Sequence, residues 1–145
     1  EEAQGAVLRA LESGAALEKF KEMIVLHGGN PRVCEDLSLL PRAAKIVPVK
    51  AEASGYLTAM HAESLGIASV MLGAGRERKQ DPVDLAVGFW MCKRLGDFVK
   101  KGETLAEFHV NDTKNEEAAV RLFLDALTLG EEPPEALPLV AEEVA

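Results

Sequence analysis

The segment Gly73-Ala74-Gly75-Arg76-Glu77-Arg78-Lys79-Gln80-Asp81-Pro82 has the residue types of an anion cradle. Glycines let backbone N–H groups approach a phosphate, and Arg76, Arg78 and Lys79 would add positive charge. The pattern matches neither standard phosphate loop. It follows a helical stretch rather than a strand, lacks the third glycine of GxGxxG, and lacks the GK(S/T) ending. Two glycines here also read as the C-terminal stop of the preceding helix. Cys34 and Cys92 are far apart without CxxC spacing, and read as buried thiols of a reducing cytoplasm rather than a disulfide or metal ligands. His27, His61 and His109 stand alone, none at i, i+4 from another ligand, which argues against zinc. Acidic pairs such as Glu116-Glu117 and Glu142-Glu143 read as solvated faces. No nucleophilic elbow, paired-carboxylate spacing or Cys/His couple stands out.

A second phrase is more specific. Gly96-Asp97-Phe98-Val99-Lys100-Lys101-Gly102-Glu103-Thr104-Leu105 has the form GD-x-V-x-x-G-x-x-L, which resembles the turn-strand phrase of barrel-sandwich domains, the group containing lipoyl and biotinyl carriers. Gly96 and Gly102 would supply the positive φ of tight turns, with Val99 and Leu105 pointing into the core. Lys114 falls near where a lipoyl-bearing lysine would stand. A swinging-arm lysine needs a strand on either side, however, and the residues after Lys114 have helical period.

The elements that must position these residues follow from periodicity and breakers. Val7, Leu8 and Leu11 predict a short helix ending at Ser13-Gly14, with Ser13 capping the next. Leu17, Phe20, Met23, Ile24 and His27 predict a second helix stopped by Gly28-Gly29. Asn30-Pro31 is a turn, and Val33–Leu40 has room for a two-turn helix halted by Pro41. Lys45–Lys50 reads as an edge strand because of Pro48. Gly55 marks a turn or bulge before a strand over Tyr56–Met60. Ala62–Leu72 is helical, and Val87–Cys92 is a strand. Leu95–Gly102 is a compact double turn, and Thr104–Val110 a half-buried strand. Thr113-Lys114-Asn115-Glu116 has the form of a capping box for an amphipathic helix that carries Ala119, Leu122, Phe123, Ala126 and Leu127 and ends at Gly130. The acidic remainder, 131–145, reads as a tail lying over a surface.

The fold class is therefore α+β: a small mixed β-sheet domain with a barrel-sandwich-like β element, flanked by helices. The 12 Gly and 7 Pro among 145 residues exclude an all-α bundle. A hydrophobic content of 48% excludes intrinsic disorder for most of the length. A net charge of −8, with 76–101 the one locally basic window, makes a poor nucleic-acid ligand. No apolar run is long enough to span a membrane and no signal peptide opens the chain, so the reading is a cytoplasmic protein. The chain lacks an initiating Met and reads as one domain or a piece of something larger.

Several motifs stand in series along the chain: Gly55-Tyr56-Leu57-Thr58-Ala59-Met60, Ala62-Glu63-Ser64-Leu65-Gly66, Leu72-Gly73-Ala74-Gly75-Arg76-Glu77-Arg78, Asp81-Pro82-Val83-Asp84 and Val87-Gly88. Leu95-Gly96-Asp97 and Lys101-Gly102-Glu103-Thr104-Leu105-Ala106 continue the order. In this order they resemble pyrimidine nucleoside phosphorylases of the thymidine phosphorylase kind. Phe20-Lys21-Glu22-Met23 with Gly28-Gly29 resembles the segment leading into that family's C-terminal domain.

The resemblance implies a transferase that converts a pyrimidine nucleoside and inorganic phosphate into free base and pentose 1-phosphate, needing no cofactor and no metal. It implies that residues 1–44 finish a preceding central α/β domain and that 45–130 form the C-terminal domain. The family's phosphate- and pyrimidine-binding residues lie in its other domains, so no catalytic or substrate-binding residue transfers to this sequence. The 145 residues alone are expected to be inactive, contributing architecture and domain closure. Arg76, Arg78 and Lys79 are the candidates for a domain-closing loop. A homodimeric parent is expected, and self-association of the piece through the 1–44 helices, with no nucleic-acid or membrane partner. The alternatives are a stand-alone barrel-sandwich carrier or scaffold, or the C-terminal domain of an AMP phosphorylase-type relative.

Overall fold

The computed structural model describes residues 2–76, 78–135, 138 and 140. Glu77 and most of the acidic tail, for which a surface-lying segment is expected, lie outside the described residues. Contacts divide the chain into two units, Glu1–Pro41 and Arg42–Ala145.

In the first unit, helix α1 (Glu2–Glu12) and helix α2 (Ala15–Leu26) are joined through Ser13-Gly14. Gly14 holds the N-cap position of α2 and has no side chain to cap with, but the predicted serine contributes beside it: Ser13 Oγ accepts from Ala15 N–H, the first of α2, at 3.4 Å and donates back to the Ala10 carbonyl at 3.4 Å. The Gly28-Gly29 stop does form. Gly28 N–H donates to the Val25 carbonyl (2.9 Å) and Gly29 N–H to the Ile24 carbonyl (2.8 Å), the paired bonds of a Schellman ending. The two-turn helix expected over Val33–Leu40 is instead two 3-10 turns, Pro31–Cys34 and Leu37–Leu39. Asn30 accepts from Arg32 N–H and Asp36 from Ser38 N–H, and such local side-chain bonds compete with a continuous helix. No residue of α1 or α2 is buried. Leu17 and Phe20 are exposed, and Ile24 is half-buried.

The second unit contains the core. Strands β1 (Lys45–Lys50), β2 (Gly55–Met60), β3 (Gly88–Met91), β4 (Phe98–Val99), β5 (Thr104–Val110) and β6 (Leu127–Gly130) form two antiparallel three-stranded sheets, ordered β1-β5-β3 and β4-β2-β6. Pro48 therefore sits on an edge strand, as expected from its missing N–H. Helices α3 (Ala62–Met71) and α4 (Glu116–Asp125) pack on one another. One core draws Val49, Leu105, Phe108 and Val110 from the first sheet, Val99 from the second, and Ala68, Ala119 and Phe123 from the helices. Its centre is an aromatic trio. Phe89 stacks on Phe108 at 5.1 Å, and Phe123 meets both edge-on at 5.1 and 5.2 Å. Trp90, next to Phe89 in β3, points the other way and is 70% exposed. The α+β class stands.

Three expectations need correction here. The residues Leu127–Gly130, read as the end of a helix, form β6 against β2. Helix α4 stops at Asp125 because the chain is needed to complete the second sheet, a tertiary demand that overrides helical period. The capping box is also absent: Asn115 is the N-cap without a side-chain bond, and the Glu116 carboxylate receives the Lys45 ammonium at 2.8 and 3.1 Å. Finally, Gly55 is the first residue of β2, paired with Val99 and buried, so it is a close-approach glycine rather than a turn. A β-carbon there would stand 2.9 Å from the Gly130 carbonyl oxygen.

The GD-x-V-x-x-G phrase folds as two matching turns around β4. Asp97 N–H donates to the Arg94 carbonyl (3.0 Å), and the Asp97 carboxylate accepts from Arg94 N–H (2.7 Å). Glu103 N–H donates to the Lys100 carbonyl (2.9 Å), and the Glu103 carboxylate accepts from Lys100 N–H (2.9 Å). Gly96 and Gly102 supply the third position of each turn with φ +91° and +84°, a region costly to residues bearing a β-carbon. Val99 and Leu105 are buried as the phrase implies.

Candidate functional site

The loop carrying Arg76, Arg78 and Lys79 begins where α3 ends. Gly73 has φ +100°, its N–H donates to the Val70 carbonyl (2.9 Å), and Ala74 N–H donates to the Ser69 carbonyl (3.2 Å). This is again a Schellman ending. The helix therefore presents carbonyls here, the negative end of its dipole, which disfavours a phosphate among these glycines. Gly75 packs onto the helix, where a β-carbon would lie 2.6 Å from Val70 Cγ2.

The far side of the loop is fixed by two carboxylates. Asp81 accepts from Arg78 N–H (2.8 Å), while Asp81 N–H donates to the Arg78 carbonyl (3.0 Å), which closes a turn inside the loop. Asp84 N–H then donates to the Gly73 carbonyl at 3.0 Å and shuts the loop at its base. The Asp84 carboxylate accepts from Ala86 N–H (2.9 Å) and from Asn111 Nδ2 (2.7 Å). These two bonds, the Asn111 one foremost, hold its carboxyl below the usual aspartate range. Asn111 Oδ1 in turn accepts from Ala44 N–H at 2.7 Å.

Arg76, Arg78 and Lys79 are all exposed, and no hydrogen bond or ion pair engages their side chains among the described residues. The loop thus presents its cations outward from a fixed base. Beneath it lies a polar cleft of about 520 Å³ whose lining includes Gly73, Gly75, Asp81, Asp112, Lys114 and Asn115. Two carboxylates against one ammonium give the cleft no net cationic character. Lys114 stands on the approach to α4, with a helix following it.

The other sequence candidates lie elsewhere. Cys92 is exposed and Cys34 half-buried, which corrects the expectation that both thiols are buried. His27 caps α2 with Nδ1 2.9 Å from the Met23 carbonyl. His61 caps α3, its ring nitrogen receiving Ser64 N–H at 3.3 Å. No group of three His, Cys, Asp or Glu residues suited to a metal ion occurs among the described residues. No helix there is long and apolar enough to cross a membrane.

Asp81, Asp84 and Asn111 are absent from the sequence-derived candidates, although they shape the loop. Asp84-x-Ala86 has Asx-turn spacing, a local signal that was legible. Asn111 had none, because its partners lie 67 and 27 residues away.

Residues 56–130 match the family model described as the pyrimidine nucleoside phosphorylase C-terminal domain. Two curated relatives, both named pyrimidine-nucleoside phosphorylase, come from Staphylococcus aureus strains bovine RF122 / ET3-1 and USA300. Each is 46% identical over 111 residues, covering 77% of this chain and 26% of the relative. The chain spans about a quarter of the length of those relatives. The matched stretch holds the basic loop, its Asp84 base, the paired turns and both sheets except β1 and the first residue of β2, and on that match the chain belongs to the pyrimidine nucleoside phosphorylase C-terminal domain family.

Proposed function

We propose that this chain serves as the C-terminal part of an enzyme that splits a pyrimidine nucleoside with inorganic phosphate, and that it contributes architecture and domain closure rather than reacting groups. The names of its relatives support the activity of the longer protein. The observation that carries the closure role is the loop itself: three exposed cations at Arg76, Arg78 and Lys79, whose side chains have no partner among the described residues, presented from a base fixed by Asp81 and Asp84. Arginines so presented pair bidentately with carboxylates of a neighbouring domain, and loops of this kind commonly gate catalysis. In this reading residues 1–44 complete the preceding domain, the parent is a cytoplasmic homodimer, and phosphate is a co-substrate with no further cofactor. The exposed Leu17 and Phe20 favour self-association of the separate piece, since large exposed apolar surface does.

The test is phosphorolysis of thymidine and uridine by the full-length enzyme carrying Arg76→Ala and Arg78→Ala. A loss of about tenfold or more in kcat/KM is expected, roughly 1.4 kcal/mol of transition-state stabilisation. Unchanged kcat and KM overturn the closure role. The 145-residue chain, assayed alone, should release no base.

A further inference from the structure

We propose that Asn111 is a two-ended tether that binds the base of the Gly73–Asp84 loop to the backbone at Ala44, so that the placement of the loop and that of the chain segment leading into β1 are coupled. The polarity of the amide carries this. Its Oδ1 accepts from Ala44 N–H (2.7 Å) while its Nδ2 donates to Asp84 Oδ2 (2.7 Å). A flipped amide would set NH₂ against an N–H and oxygen against a carboxylate, so both partners enforce one orientation. Asn111 follows the last residue of β5, and Ala44 precedes the first residue of β1, where Lys45 pairs with Val110. The tether therefore extends the β1–β5 ladder by one step and hands its end to the loop. Asp84 passes the constraint on through its own N–H, which closes the loop base on the Gly73 carbonyl at 3.0 Å. Arg76, Arg78, Lys79 and Gln80 are exposed, so the base governs where they project. Ala44 lies two residues beyond Arg42, where the second unit begins. A shift of the chain at that crossing thus pulls on the amide that positions the basic loop. These distances stand independently of the phosphorylase reading.

The test uses the 145-residue chain, with amide hydrogen exchange at Ala44 and trypsin cleavage after Arg76, Arg78 and Lys79. Asp84→Ala removes one end of the tether. It should speed loop cleavage and raise Ala44 exchange by about tenfold, because the freed amide no longer holds its orientation. Asn111→Asp keeps an acceptor for Ala44 but faces Asp84 with like charge. It should speed cleavage while leaving Ala44 protected. Wild-type exchange at Ala44 in Asp84→Ala, or wild-type cleavage in Asn111→Asp, overturns the proposal. Phe108, fully buried in β5, reports on the fold. If its amide also loses protection in Asp84→Ala, the domain has opened and Asn111→Asp alone decides.

Discussion

Asp84 keeps its charge to lower pH because of its neighbours, and the sign of its pH dependence follows. Donation from Asn111, and secondarily from Ala86 N–H, favours the carboxylate and places its folded pKa below the ordinary 3.8. Its contribution to the folded state is complete above 3.8 and fades as pH falls through the lower folded value. In a carbon-detected NMR titration the Asp84 carboxyl should show a midpoint below 3.8, and the Ala86 amide should shift with it. A midpoint at or above 3.8 would remove the bonds described here. Lys93 and Glu103 behave as a pair: their ion pair, 2.5 Å long, raises the lysine and lowers the glutamate. That pair is intact across the neutral range and loosens only at either extreme.

Elements show where sequence was enough and where it was not. Replacing Gly55 with Ala puts a β-carbon against the Gly130 carbonyl at 2.9 Å and Leu129 Cβ at 3.2 Å, in the middle strand of the β4-β2-β6 sheet. Backbone cannot step aside as a flexible side chain can, so the variant should lose about 1–3 kcal/mol in urea denaturation. A loss within 0.5 kcal/mol, roughly that of a neutral surface change, would mean that the strands part easily. Gly28-Gly29, Gly73 and the Gly96/Gly102 pair were legible because a positive φ or a helix stop is written in the residue type. Pro48 announced an edge for the same reason. Leu127–Gly130 was not legible, because Leu127 continues the apolar period of α4 and only the distant β2 calls it into a sheet. Thr113 through Glu116 failed similarly: Glu116 answers Lys45, which lies 71 residues away, rather than its local turn. At the candidate loop, the cations could be read from sequence, but the asparagine holding their base could not.

For the whole molecule, every fully buried hydrophobic among the described residues falls between Val49 and Ala126, in the second unit. Residues 42–145 should therefore fold alone, with one cooperative urea transition at close to the midpoint of the full chain. Residues 1–41, without a buried side chain in either helix, should show little stable helix in isolation. Failure of 42–145 to unfold cooperatively would show that the first unit supplies part of its core. The outward-facing Trp90 has a practical consequence for such experiments. It is the chain's single tryptophan, and it is already in contact with water in the folded state. Unfolding will barely change its emission, so fluorescence will be nearly silent to folding. The same indole should brighten and shift to the blue when another surface covers the Pro48–Glu107–Trp90 face, making it an optical gauge of docking rather than of stability.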